Sequence, residues 1–138
     1  MEIFDRDGKV NFVDENNVVL GYDTEDSCCE IAGWYFVGQE PTTVSPRLHG
    51  TGNPPEVPAW REMPDLRGWV FDPGWFKKLP DTVPGVLDEG EAVAFRLVNY
   101  DDPSCPLQKF LVLFNAHNGY YHGFTFTQSN EVLQCGDL

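Results

Sequence analysis

The chain reads as a mainly β protein, an antiparallel sheet or sandwich with one short helix against it, an α+β fold being the runner-up. Two observations predict this. Short β-branched and aromatic runs recur along the sequence, separated by clusters rich in Gly, Asn and Asp. The clearest pair of runs, residues 108–128 (QKFLVLFNAHNGYYHGFTFTQ), flanks Asn118-Gly119, the dipeptide that best tolerates the positive φ angles of a two-residue type I′ turn. With 138 residues, 41% of them hydrophobic, the chain is long enough for one core and short for two, so residues 1–138 are expected to form a single domain.

The elements follow in order. Ile3 and Phe4, the turn Asp5-Arg6-Asp7-Gly8 and the run at residues 9–13 predict a short hairpin. Asp14-Glu15-Asn16-Asn17 predicts a second turn, and residues 18–22 another strand. Residues 28–37 (CCEIAGWYFV) are apolar on both alternating faces except at Glu30, which predicts a central strand covered on two sides. Five prolines and two glycines between residues 38 and 63 deny the backbone the donors a regular element needs, predicting a long Pro-rich loop. Residues 66–71 predict a strand. Asp72-Pro73 then supplies an N-cap and first position for a short helix through Lys78, ended by Pro80. A strand at residues 91–99 should turn Val93, Phe95 and Leu97 one way and Ala92, Ala94, Arg96 and Val98 the other. After the 108–128 hairpin, residues 131–135 predict a final edge strand.

A net charge of -13 gives most of the surface a negative potential and repels polyphosphates, so direct nucleic-acid binding is not expected; the charge either simply keeps the protein soluble or attracts a basic protein partner. No apolar run approaches the roughly 18 residues of a membrane span, and the N-terminus lacks the basic start of a secretory signal. A cytoplasmic protein with no membrane partner is expected, its cysteines reduced, with a Cys105–Cys135 bridge open as the alternative. Cys28 and Cys29 lie between Asp26 and Glu30, an acidic setting that works against a reactive thiolate, and so read as packing residues.

In the hairpin register set by Asn118-Gly119, His117 faces Tyr120 and Asn115 faces His122, so two imidazoles, an amide and a phenol converge near the tip. Such a group is either polar because a hairpin tip emerges into solvent or forms a ligand site, together with Cys29 and Glu30 from the strand at residues 28–37. It supplies two of about four ligands that a zinc site needs, and no metal or cofactor is expected. The run DRDGKVNFVD imitates part of a calcium loop. Aligning Gly8 with that loop's glycine puts Ile3 at the first ligand position, which excludes it. No phosphate loop, dinucleotide fingerprint, G-x-S-x-G or H-E-x-x-H motif is present.

Asp26-Ser27-Cys28-Cys29-Glu30, taken with the later strand and its Asn118-Gly119-Tyr120-Tyr121 tip, resembles a family of small uncharacterised bacterial and phage proteins that share a Cys-Cys-Glu strand and an Asn-Gly-Tyr-Tyr hairpin. The resemblance implies a phage or mobile-element origin and carries no activity. The leading expectation is a non-enzymatic, acidic protein-interaction domain whose aromatic anchors are Trp60, Trp69 and Trp75. The alternative is a small ligand-binding domain or enzyme with its pocket at the His117/His122 tip.

Overall fold

The computed structural model describes residues 1–25, 31–41, 65–79, 90–99, 108–116 and 121–138. Within them lie nine strands: β1 (Glu2–Arg6), β2 (Lys9–Val13), β3 (Val18–Asp23), β4 (Ile31–Val37), β5 (Trp69–Leu79), β6 (Gly90–Asn99), β7 (Gln108–Ala116), β8 (Gly123–Gln128) and β9 (Glu131–Asp137). They form two antiparallel sheets, one ordered β1-β2-β3-β8-β9 and the other β4-β7-β6-β5. Side chains from both sheets build one core, so the fold is an all-β sandwich.

Local chemistry accounts for the first sheet. Asp7 (φ 52°) and Gly8 (φ 75°) supply the two positive φ angles of a type I′ turn, and Arg6 pairs with Lys9 across it. Beyond β2, the carboxylate of Asp14 accepts the N–H groups of Asn16 and Val18, both at 2.9 Å, and closes the turn into β3. Ser129 and Asn130, both at positive φ, make the tight turn from β8 to β9. Along β3 burial alternates strictly, with Val18, Leu20 and Tyr22 inside.

The second sheet is covered on both sides. On β7, Leu111 and Leu113 join the shared core, while Phe110, Val112 and Phe114 point the other way and are equally buried. Residues 93, 95 and 97 of β6 face the core as expected, and Ala92 and Ala94 are buried on the far face.

The interface between the sheets is aromatic. Phe95 lies 4.8 Å from Phe126 and 6.0 Å from Phe124, Phe71 lies 5.2 Å from Phe126, and Phe12 meets Trp34 edge-on at 5.1 Å. Such pairs add about 0.5–1.5 kcal/mol each beyond the area they bury. Three polar ties cross the same gap. Asp14 Oδ2 accepts the N–H of Phe71 (2.8 Å), Tyr22 Oη donates to the Phe114 carbonyl (2.7 Å), and Asn115 Nδ2 donates to the Leu138 carbonyl (2.9 Å).

Three expectations are corrected. The 108–128 segment is not a hairpin: β7 pairs with β4 and β6, and β8 pairs with β3 and β9, in different sheets. Both edges of each strand are taken, so none remains for the pairing that Asn118-Gly119 suggests. The short helix at residues 72–78 is strand. Asp72 Oδ1 accepts the N–H of Gly74 at 3.1 Å, the same local bond that an N-cap makes, but here it shapes a bulge. Pro73 sits in that bulge, where its missing N–H leaves no ladder bond unmade, and Asp72 Oδ2 accepts from Arg96 at 2.8 Å. Extended backbone then sends Trp75 onto Phe110 (5.1 Å) and Phe76 onto Phe95 (5.5 Å), on opposite faces. Among the described residues β4 is an edge strand, although Trp34, Tyr35 and Phe36 are all buried. A continuous apolar run reports covered faces, not the number of hydrogen-bonded neighbours. Cys135 is a free, exposed thiol, in agreement with the expectation of reduced cysteines and against the alternative of a bridge to it. Of the Pro-rich loop, Gly38 to Pro41 carry no strand and the remainder lies outside the described residues.

Candidate functional site

Of the residues expected to form a ligand site, Asn115 and His122 are described; His117, Tyr120, Cys29 and Glu30 lie outside the described residues. Asn115 ends the core-facing row of β7 and His122 immediately precedes β8. Both are buried, and they meet at one group, the main chain of Leu138. The carbonyl of Leu138 accepts the His122 N–H (2.9 Å) and the Asn115 side-chain amide (2.9 Å), while the Leu138 N–H donates to the His122 carbonyl (2.8 Å). The imidazole Nδ1 lies 2.9 Å from the Asp23 carbonyl, which an Nδ1–H tautomer satisfies, and 4.0 Å from the Asp23 carboxylate. Tyr22 packs edge-on against the ring at 6.4 Å. The two side chains thus tie β3, β7, β8 and the residue after β9 together, which is a structural use of both.

Of the three tryptophans expected as interface anchors, Trp60 lies outside the described residues. Trp69 is a core residue, 4% exposed, with the Lys109 ammonium 4.9 Å above its ring. Burial corrects its reading as a surface anchor. Trp75 is half-buried against Phe110.

On the other side of Leu138, a cleft of about 360 Å³ opens where β5 and β6 of one sheet meet β8 and β9 of the other. Its floor is apolar, built from Phe76, Val93 and Phe124, with Phe76 stacked on Phe124 at 6.0 Å. Lys78 stands at its rim, and residues 134–138 form one wall. The cleft opens there because β5 and β9 are both sheet edges, so no further strand closes the sandwich on this side among the described residues.

The wall presents main-chain groups. His122 and Leu138 exchange both of their N–H···O bonds, so residues alternating from Leu138 toward β9 also bond to β8, and the residues between them, Cys135 and Asp137, turn their N–H and C=O groups to the open edge. Gly123, opposite Asp137, leaves room for that side chain: a Cβ there would stand 3.3 Å from Asp137 Oδ1. β9 carries charge only at its ends, Glu131 and Asp137, around the uncharged run Val132-Leu133-Gln134-Cys135-Gly136. One bulge, at Leu133, interrupts its ladder to β8.

Sequence reasoning missed this site. The only local sign was the uncharged run at an expected edge; that Phe76 and Val93 would floor a cleft beside it depends on how two sheets stack. No group of three or more His, Cys, Asp or Glu side chains arranged to hold a metal ion occurs among the described residues. Among the described residues, no helix is long and apolar enough to cross a membrane. No family model, curated protein or solved structure matches the chain.

Proposed function

We propose that this β sandwich is a protein-binding module whose contact surface is the cleft between β5 and β9. The observation that carries the reading is the juxtaposition of an apolar floor, Phe76, Val93 and Phe124, with the open edge of β9. Apolar pockets beside unpaired main-chain groups suit protein segments, because the pocket takes side chains and the edge takes backbone. The net charge of -13 favours a basic partner and speeds its encounter at low salt. The buried His122 and Asn115 support the reading indirectly: their polar atoms hold the wall of the cleft in place by anchoring Leu138.

The test is amide chemical-shift mapping of the whole protein against a panel of basic peptides. Shifts should concentrate at residues 76–79 and 134–138 and weaken as salt rises. A panel that moves none of these amides, or moves only the half-buried outer face of β2 and β3, rules the reading out.

A further inference from the structure

Resting on that reading, we infer that the partner binds by strand addition: an extended segment with alternating apolar residues and basic flanks pairs with β9. Three features of the edge support this mode over a side-chain contact alone. First, the outward N–H and C=O groups of Cys135 and Asp137 offer the ladder bonds an incoming strand needs. Second, a strand laid along β9 directs every second side chain inward, over Phe76 and Phe124. Third, the edges at β1 and β5 are guarded and this one is hardly so, while the apolar floor beside β9 sets it apart from the equally uncharged edge strand β4. β5 has Pro73 and a wide bulge, and β1 is short with charges at Glu2, Asp5 and Arg6. β9 has one bulge and five consecutive uncharged residues.

Charge then selects the occupant. Two copies pairing β9 with β9 antiparallel over its full length would place Glu131 of each opposite Asp137 of the other, two like-charge contacts between bodies each carrying -13. A second copy is therefore disfavoured. A segment with Lys or Arg at both ends, spaced to meet Glu131 and Asp137 roughly 20 Å apart along the strand, replaces both repulsions with attractions. Lys78 at the rim discourages a basic residue between those ends, which leaves the inward positions to apolar side chains.

The experiment uses the full chain and synthetic peptides of the length of β9, alternating Val and Thr, with Lys or with Glu at both ends. Calorimetry should show the Lys-ended peptide binding, with affinity falling as salt rises, and the Glu-ended peptide weaker by about tenfold or more. Hydrogen exchange at the Cys135 and Asp137 amides should slow on binding. Methylating the alternate peptide nitrogens that face β9 should abolish binding, and Cys135→Pro, which deletes an outward N–H while sparing the bonds to β8, should weaken it by about tenfold. If shifts map to the cleft but neither N-methylation nor Cys135→Pro alters affinity, strand addition is wrong and the binding-module reading stands. If neither peptide moves the cleft amides, both fail. A dimer that forms with rising concentration and is lost in Cys135→Pro would overturn the proposal in favour of self-pairing.

Discussion

The two sheets solve the problem of a small β domain differently. In β1-β2-β3-β8-β9, core residues alternate with residues that meet solvent: Phe124 and Phe126 are buried and Thr125 between them is exposed. In β4-β7-β6-β5 the alternation is lost, since Phe110, Leu111, Val112, Leu113 and Phe114 are all buried. Asn11 and Thr125 on the solvated sheet have water to interact with; positions such as Val112 and Ala94 do not. The difference teaches where substitutions should be tolerated. The outer face of the first sheet accepts polarity, whereas both faces of the second are core.

The sharpest way to break that comparison is to place one charge at matched positions. Val112→Asp buries an unpaired carboxylate on the outer face of β7 and should leave the protein unfolded at neutral pH, while Thr125→Asp should shift stability by about 0.5 kcal/mol or less in urea titrations. Equal effects would end the distinction. Next in size is Phe95→Ala, at the seam where the sheets meet against Phe71, Phe76, Phe124 and Phe126, with an expected loss of about 3–5 kcal/mol by the same titration.

Asp14→Ala should cost about 2–4 kcal/mol, because it strands the N–H groups of Val18 and Phe71 in buried positions. Asp14→Asn, retaining one acceptor oxygen, should recover part of that loss. A smaller cost, about 1–3 kcal/mol, is expected for Gly33→Ala on β4, whose new Cβ would stand 2.8 Å from the Phe114 ring. The smallest effect is pH-dependent. Arg67 hydrogen-bonds Asp65 at the approach to β5 and lowers its carboxyl from the usual 3.8 to about 2. Since the folded value is the lower one, the contribution is complete above about pH 4 and lost as pH falls through about 2. Both side chains are exposed, so Asp65→Asn should flatten only this acid limb of the stability profile.

Legibility in the sequence follows the range of the forces involved. Turns that a few residues decide, Asp7-Gly8 and the Asp14 to Asn17 loop, were readable, as were the alternation of β6 and the last edge strand. Which sheet a strand joins was not. β7 and β8 flank an ideal hairpin dipeptide, yet β7 is apolar on both faces and β8 on one, a mismatch that already argued against a shared sheet. Asp72-Pro73 misled because one local hydrogen bond serves both a helix start and a bulge. Of the candidate site, Asn115 and His122 were expected to face each other across a hairpin; that pairing is not formed, and the two instead share the carbonyl of Leu138. The cleft itself could not be read, because its floor and wall come from strands distant in sequence.

The pairing of β3 with β8 sets a timetable. Val18 bonds opposite Gln128, so the solvated sheet cannot be completed until nearly the whole chain is available. At synthesis rates of roughly 5–20 residues per second, the β1-β2-β3 meander waits several seconds or more with one edge unpaired and its apolar face uncovered. Closing so long a loop places the domain among slow folders, in the millisecond-to-second range expected for sandwiches rich in non-local pairings.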